Sequence, residues 1–302
     1  MALIAGPTAS GKSALALELA VQSGGVIVNA DSAQIYRDLP ILSAAPSVEE
    51  RGRAEHRLYG VLDGAQPCSA ADWAAMAKRE IADIHAAGRL PILVGGTGLY
   101  LRTLFDGIAP VPSIEPGIRQ EVRSRPVGEN HEELARLDPE AAKKLNAADT
   151  TRIARALEVV LFTGKRLSEW QKEREGGIRN QVTLRPLLLL PPREWLYRRC
   201  DVRFEQMVVA GASAEVQILL QRNLDPALPV MRAIGVRELA AWLKGDLTRD
   251  EAVAAGQRAT RRYAKRQYTW FAHQPPEDWP RFRHALDPVN IAEALALLGP
   301  RD

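Results

Sequence analysis

Near its start the chain carries Gly6-Pro7-Thr8-Ala9-Ser10-Gly11-Lys12-Ser13, with the spacing G-x-x-x-x-G-K-[ST]. Successive backbone N–H groups in such a turn converge on phosphate oxygens, and the helix that follows adds its positive N-terminal end. Lys12 supplies a mobile cation, and the Ser13 hydroxyl is of the type that ligates Mg²⁺. Gly6, Thr8, Ala9, Ser10, Gly11, Lys12 and Ser13 are therefore the expected phosphate-contacting residues. Such a loop recognises polyphosphate and by itself names no reaction.

Asp31 sits just beyond Val26-Ile27-Val28, a strand ending in "NADS" that is expected to neighbour the phosphate loop. Ligands of open α/β sheets collect at the carboxyl ends of strands, so this carboxylate faces the site. It fits two chemical roles, a metal-binding acid or a base taking a proton from substrate; an N-cap or turn aspartate is the plain alternative. After the apolar run of "PILVGGTG" come Thr97 and Arg102, a hydroxyl and a guanidinium suited to a leaving phosphate oxygen. Gly95-Gly96 also reads simply as a tight turn. Neither this segment nor "PLLLLPP" delivers the second acid common in phosphate-loop ATPases, which disfavours a motor or switch.

Two stretches are basic. Between residues 252 and 276 lie Arg258, Arg261, Arg262, Lys265 and Arg266, with no Asp or Glu. Tyr263, Tyr268, Trp270 and Phe271 are interleaved, a combination that suits RNA bases and phosphates and also suits a solvated helix anchored by aromatics. In "DTTRIARALEVVLFTG", Ile153, Leu157, Val160 and Leu161 mark one face of a helix that stops at Gly164, while Arg152 and Arg155 share another.

The elements that position these groups follow from periodicity. Leu3-Ile4-Ala5 reads as a short buried strand and residues 13–22 as an amphipathic helix. A second helix runs from about Asp72 to Ala87, with Ser69 and Asp72 shaped as a capping box and Gly88 at its end. Strand–helix alternation beginning with a phosphate loop predicts an α/β fold, a parallel sheet flanked by helices. "DGIAPVPSIEPG" (106–117) suits a hinge, as does "EGGIRNQ" (175–181), and "RPLLLL" returns to the sheet. Residues 113–182 are thus expected to form a helical insertion in a core made of 1–112 and 183–302.

Composition sets the bounds. The 302 residues carry a formal net charge of +3, too small to argue for or against a polyanionic partner. Cys68 and Cys200 lie far apart without a C-x-x-C pattern, and the five histidines show no ligand spacing, so no zinc site is expected. With no apolar run of membrane length and no leader ahead of the first strand, the expected location is the cytoplasm.

Taken in order, "GPTASGKS", "DSAQIYR", "HRLYGV", "CSAADW", "LVGGTGLYLR", "RIARALEV", "MRAIGVREL" and "RRYAKRQYTWF" resemble the tRNA dimethylallyltransferases nearly end to end. That family prenylates the adenosine beside the anticodon. The resemblance implies a phosphate-loop core and a helical insertion that meets the anticodon stem-loop. It also implies a Mg²⁺ requirement, with Ser13 as ligand, and dimethylallyl diphosphate on the loop. Asp31, Thr97 and Arg102 would be catalytic. Asp31, Ser32, Ala33, Gln34, Thr97, Arg119, Arg152, Arg155, Arg261 and Lys265 would meet tRNA, and the chain would act as a monomer. One stretch departs from the pattern: "ILSAAP" (41–46) stands where the family usually has "IGTAKP", so Ala45 replaces the usual lysine. Glu55 precedes His56 where proline is usual. An adenylate isopentenyltransferase, a phosphate-loop small-molecule kinase and a non-catalytic RNA-binding protein with a nucleotide switch remain as alternatives.

Overall fold

The computed structural model describes residues 1–299, which divide into two compact units, 1–104 with 179–299 and Phe105–Ile178. The larger unit is built on six strands: β1 (Ala2–Ala5), β2 (Val26–Asn29), β3 (Glu55–Arg57), β4 (Pro91–Gly95), β5 (Arg185–Leu189) and β6 (Arg281–Phe282). They pair in the order β3-β2-β4-β1-β5-β6, every adjacent pair parallel. This is the expected α/β architecture. Parallel strands need covered faces, and β1, β2 and β4 are buried at every residue.

The register aligns the chemistry. Ala5 pairs with Gly95, and Asn29 pairs with Val94. The carboxyl ends of β1, β4 and β2 therefore lie level, and the segments leaving them emerge along one edge. The expectation that the strand bearing Asp31 adjoins the phosphate-loop strand is corrected: β4 lies between β1 and β2. Periodicity reports that a strand is buried, not which neighbour buries it.

The helix Lys12–Ser23 turns Leu15, Ala16 and Ala20 onto Ile4, Ile27, Ile92 and Val94 of the sheet. Full burial of one such aliphatic side chain contributes about 1.5–3 kcal/mol. Its N-cap Gly11 has φ 96° and its C-cap Gly24 φ 64°, left-handed at both ends. Proline in a central strand is unusual because it lacks an N–H donor. Pro186 is tolerated in β5 because Arg185 and Leu188 bond out to Met1 and Pro280 on either side, while β6 pairs only with Leu188 and Leu189. The two-residue β6 was not legible from periodicity.

The helix Ala70–Ala86 begins with the capping box of Ser69 and Asp72. The long helix Arg249–His273 packs along the helix Arg193–Val209.

The smaller unit is helical: Pro116–Ser124, Val127–Leu137, Pro139–Lys144, Thr150–Thr163 and Leu167–Trp170. Val122, Leu134, Ile153, Leu157 and Val160 form its core. Leu161, placed on that same face by periodicity, is instead 38% exposed. Asp138 and Asp149 cap two of the helices through their carboxylates, and Gly164 at φ 68° ends the second of these. No helix among the described residues is long and apolar enough to cross a membrane.

Candidate active site

The loop leaving β1 turns through Ala9 at φ 63° and Gly11 at φ 96°. A non-glycine residue at positive φ costs free energy, and such residues concentrate at functional loops. Inside the turn the Ser10 hydroxyl is buried without a hydrogen-bond partner among the described residues. A buried orphan hydroxyl is costly, and a phosphate oxygen would satisfy it. Ser13 stands exposed at the first turn of the helix.

Lys12 is buried, with Nζ donating back to the Pro7 carbonyl at 3.3 Å. Burial pulls its ammonium down to about 8; the opposite charge of Asp31 resists that fall and Arg203 adds to it. From the helix Arg193–Val209, Arg199 Nε donates to the Ala9 carbonyl at 3.1 Å and Arg203 reaches the Thr8 hydroxyl at 3.4 Å. Burial also pulls the Arg203 guanidinium down, opposed by Asp31. Lys12, Ser13, Arg198, Arg199 and Arg203 line a cavity of about 690 Å³ whose one carboxylate among the described residues is Glu50. Four cations around one acid make a site for a polyanion.

Asp31 is held by its own backbone's neighbours. Its N–H donates to Asn29 Oδ1 at 2.8 Å, and Asn29 Nδ2 donates to the carbonyls of Asp31 and Leu58. Trp73 Nε1 donates to the Asn29 carbonyl at 2.9 Å. On the carboxylate itself, Oδ1 accepts from Ala33 N–H at 3.0 Å. No described residue donates to Oδ2, which leaves that oxygen as the acceptor. Burial, and then the field of Asp31, raise the phenols of Tyr59 and Tyr263, so both stay neutral.

Thr97 joins this segment to the end of β4. Its hydroxyl accepts from Ser32 N–H at 3.0 Å, and its own N–H donates to the Ala30 carbonyl at 3.2 Å. The approach requires glycines: a Cβ on Gly95 would lie 2.1 Å from the Ala30 carbonyl oxygen, and one on Gly96 2.3 Å from Gln267 Nε2. Gln267, buried on the long helix, ties the phosphate loop to the same place. Thr8 N–H donates to its Oε1 at 2.8 Å, and its Nε2 donates to the Gly96 carbonyl at 2.8 Å.

The other expected residues distribute unevenly. Arg102 is exposed on the helix Gly98–Asp106, outside the lining of the cavity and without a polar partner among the described residues. Gln34 spends both amide hydrogens on the Ser43 and Ala44 carbonyls, bracing the turn where the family pattern changes. Arg261 pairs with Asp201, and Lys265 is exposed. In the smaller unit Arg152 faces Asp149 while Arg119 and Arg155 face Glu158, so Arg152 and Arg155 serve different partners. Arg199, Arg203 and Gln267 were missed. The first two sit four apart, the spacing that puts two side chains on one helix face, but "REWLYRRCDVRFEQ" carries no loop motif to draw attention.

The donor set bears on metal binding. No group of three or more His, Cys, Asp or Glu able to hold a metal occurs among the described residues. Mg²⁺ is commonly held by substrate phosphates and water with few protein oxygens, and the exposed Ser13 hydroxyl beside the cradle fits that use.

A pH dependence follows from Lys12. A bound polyanion stabilises the ammonium, so above about pH 8 binding must take up a proton that the free protein has lost. Affinity for inorganic pyrophosphate is therefore expected to fall with rising pH there, by up to about tenfold per unit. Calorimetry of the wild type against Lys12→Gln cancels the ligand's own ionisation. Equal slopes for both proteins would contradict it.

The chain is similar to known proteins along most of its length. The family model described as IPP transferase matches residues 34–274. The tRNA dimethylallyltransferase of Sphingopyxis alaskensis is 60% identical over 298 residues, spanning 98% of this chain and 97% of that protein. That of Novosphingobium aromaticivorans is 61% identical over 274 residues, 90% and 98% of the two chains. Among solved structures, the full-length tRNA isopentenylpyrophosphate transferase of Bacillus halodurans superposes with a TM-score of 0.70 at 32% identity, covering 98% of this chain and 96% of that one. A eukaryotic dimethylallyltransferase acting on tRNA gives 0.77 at 30% identity, covering 89% and 69%. With its phosphate loop and Asp31 set on level strand ends and its sequence matched along almost its whole length, the chain belongs to the IPP transferase family.

Proposed function

We propose that this chain transfers the dimethylallyl group of dimethylallyl diphosphate to N6 of the adenosine on the 3′ side of the anticodon in tRNA, releasing diphosphate. The observation that carries the reading is the free Oδ2 of Asp31, held in the field of Lys12 and Arg203 at the rim of the phosphate cradle.

An exocyclic adenine amine is a weak nucleophile because its lone pair is delocalised into the ring. Asp31 Oδ2 accepts the N6 hydrogen bond and then the proton as the N6–C1 bond forms and the C1–O bond breaks. Lys12, Arg199 and Arg203, with the loop N–H groups and the Ser10 hydroxyl, take up the charge that grows on the departing diphosphate. Thr97 fixes the Ser32 backbone and so the acceptor side. Arg102, exposed near the same strand end, is assigned to the leaving group or its path out. Ser13 would hold Mg²⁺ together with diphosphate oxygens, and the ion supplies further charge neutralisation there. Water must be kept from an allylic centre with cationic character, and the adenine must leave its stack to enter. Arg119, Arg152, Arg155, Arg261 and Lys265 supply cations for the RNA backbone. The protein acts as a monomer in the cytoplasm.

The test offers labelled dimethylallyl diphosphate with an adenosine-bearing anticodon stem-loop, with AMP, and with ATP plus small hydroxyl acceptors. Label is expected on the stem-loop at adenine N6. Label on AMP and none on RNA would make the chain a free-nucleotide transferase; phosphorylation of a hydroxyl would make it a kinase.

A further inference from the structure

The smaller unit holds a charge cluster that the transfer chemistry does not use. Glu158, on the helix Thr150–Thr163, has a side chain that is 0% exposed. Arg123 Nε donates to its Oε1 at 2.7 Å. Arg119 Nε stands 3.9 Å and Arg155 Nη1 3.8 Å from its Oε2. Arg119 and Arg123 are one turn apart on the helix Pro116–Ser124, so two helices contribute. The three arginine side chains are 48%, 58% and 38% exposed in the order 119, 123, 155.

Three guanidiniums around one carboxylate leave two positive charges over. A nearby arginine shows the opposite ratio: Arg125 is met by both Glu121 and Glu133. Stability alone is a poor account of Glu158, because taking a carboxylate out of water is expensive and apolar side chains of similar volume often do as well. The geometry is also incomplete. Oε2 is buried and accepts no hydrogen bond, and ion-pair separations of 3.8 and 3.9 Å are too long for one. Arg119 and Arg155 are thus gathered mainly by Coulomb attraction, and most of their guanidinium N–H donors remain available. Burial pulls the Arg155 guanidinium down, Glu158 opposes this, and the repulsion of Arg119 and Arg123 adds to it, a repulsion that a second anion relieves. Planar guanidinium forks with free donors match phosphate oxygens better than a point charge does.

We propose that Glu158 is a positioning residue, a buried tether that gathers Arg119, Arg123 and Arg155 into one patch that grips an RNA phosphodiester. The sequence offered Arg119 and Arg155 as separate contacts; the tether and Arg123 are new. The inference rests on the reading of tRNA as acceptor.

Its test is the affinity of an anticodon stem-loop RNA across a salt series for the wild type, Glu158→Gln and Arg123→Ala, with melting temperature and inorganic pyrophosphate affinity as controls. Glu158→Gln deletes a negative charge, so attraction by net charge alone makes RNA bind more tightly. The tether predicts the opposite sign: binding weaker by about tenfold, the scale of one lost charge-assisted hydrogen bond, with pyrophosphate affinity retained. Arg123→Ala is expected to weaken binding and to lower the slope of log K against log salt by about 0.7–0.9, one phosphate contact. RNA binding by Glu158→Gln as tight as wild type or tighter overturns the proposal. Should that variant fail to fold, Arg123→Ala decides, and an unchanged slope overturns it. A wild type without affinity for the stem-loop is a separate result: it ends the acceptor reading, and the tether with it, before any variant is compared.

Discussion

Asp31→Asn is expected to slow single-turnover prenyl transfer by about 10²- to 10⁴-fold, the usual worth of a general base. The substitution is isosteric. An asparagine carbonyl can still accept from Ala33 N–H, and the bonds from Asn29 that hold this segment do not involve the carboxylate. What disappears is the capacity of Oδ2 to take the proton from N6. Some loss of the field that supports charge on Lys12 accompanies it, because Asp31 is the largest of the groups that oppose the burial of that ammonium. Pyrophosphate binding is the control for this second effect. The measurement is the rate of label transfer to a saturating stem-loop, with the folded state checked by thermal melting. A rate within about threefold of wild type, well under the range for a lost base, removes Asp31 from the role.

The second large effect is expected at Arg203. Arg203→Ala deletes a half-buried guanidinium that reaches the Thr8 hydroxyl and faces the same cavity as Lys12. Removing one donor aimed at developing charge costs about 2.7–4 kcal/mol, or about 10²–10³ in rate. The loss belongs in transfer, with stem-loop affinity unchanged. Arg102→Ala serves as the internal comparison, since Arg102 is exposed and outside the cavity lining. Its effect is expected to be smaller than that of Arg203→Ala. The reverse order makes Arg102, not Arg203, the principal contact of the leaving group.

Much of this was legible where the sequence writes function as a local pattern. The phosphate loop is one contiguous octapeptide, and its strand and helix follow from a short apolar run and an amphipathic repeat. The capping box of Ser69 and Asp72 needs only three residues' separation, and it is present. What stayed hidden depends on contacts between distant segments. Arg203 reaches Thr8 across 195 positions, and Gln267 reaches it across 259. A glutamine on a basic helix has no signature of its own, and neither does the glycine at 96 that makes room for it. The strand order failed for the same reason, because β2 and β4 are equally buried and nothing local distinguishes their partners. Glu158 lies in "RALEVV" as one charge in an apolar run, and its meaning depends on a second helix.

The proposed acceptor is N6 of the adenosine on the 3′ side of the anticodon. It is tested most directly by nucleoside mass spectrometry of bulk tRNA, digested with a nuclease that leaves the anticodon loop as an assignable fragment. The comparison is between cells lacking this chain, cells complemented with it, and cells complemented with Asp31→Asn. N6-dimethylallyl-adenosine and its derivatives are expected to vanish from that one position in the deletion. Wild-type chain restores them, and Asp31→Asn does not. Undiminished modification at that position in the deleted cells, or restoration of it by Asp31→Asn to the wild-type level, would contradict the account.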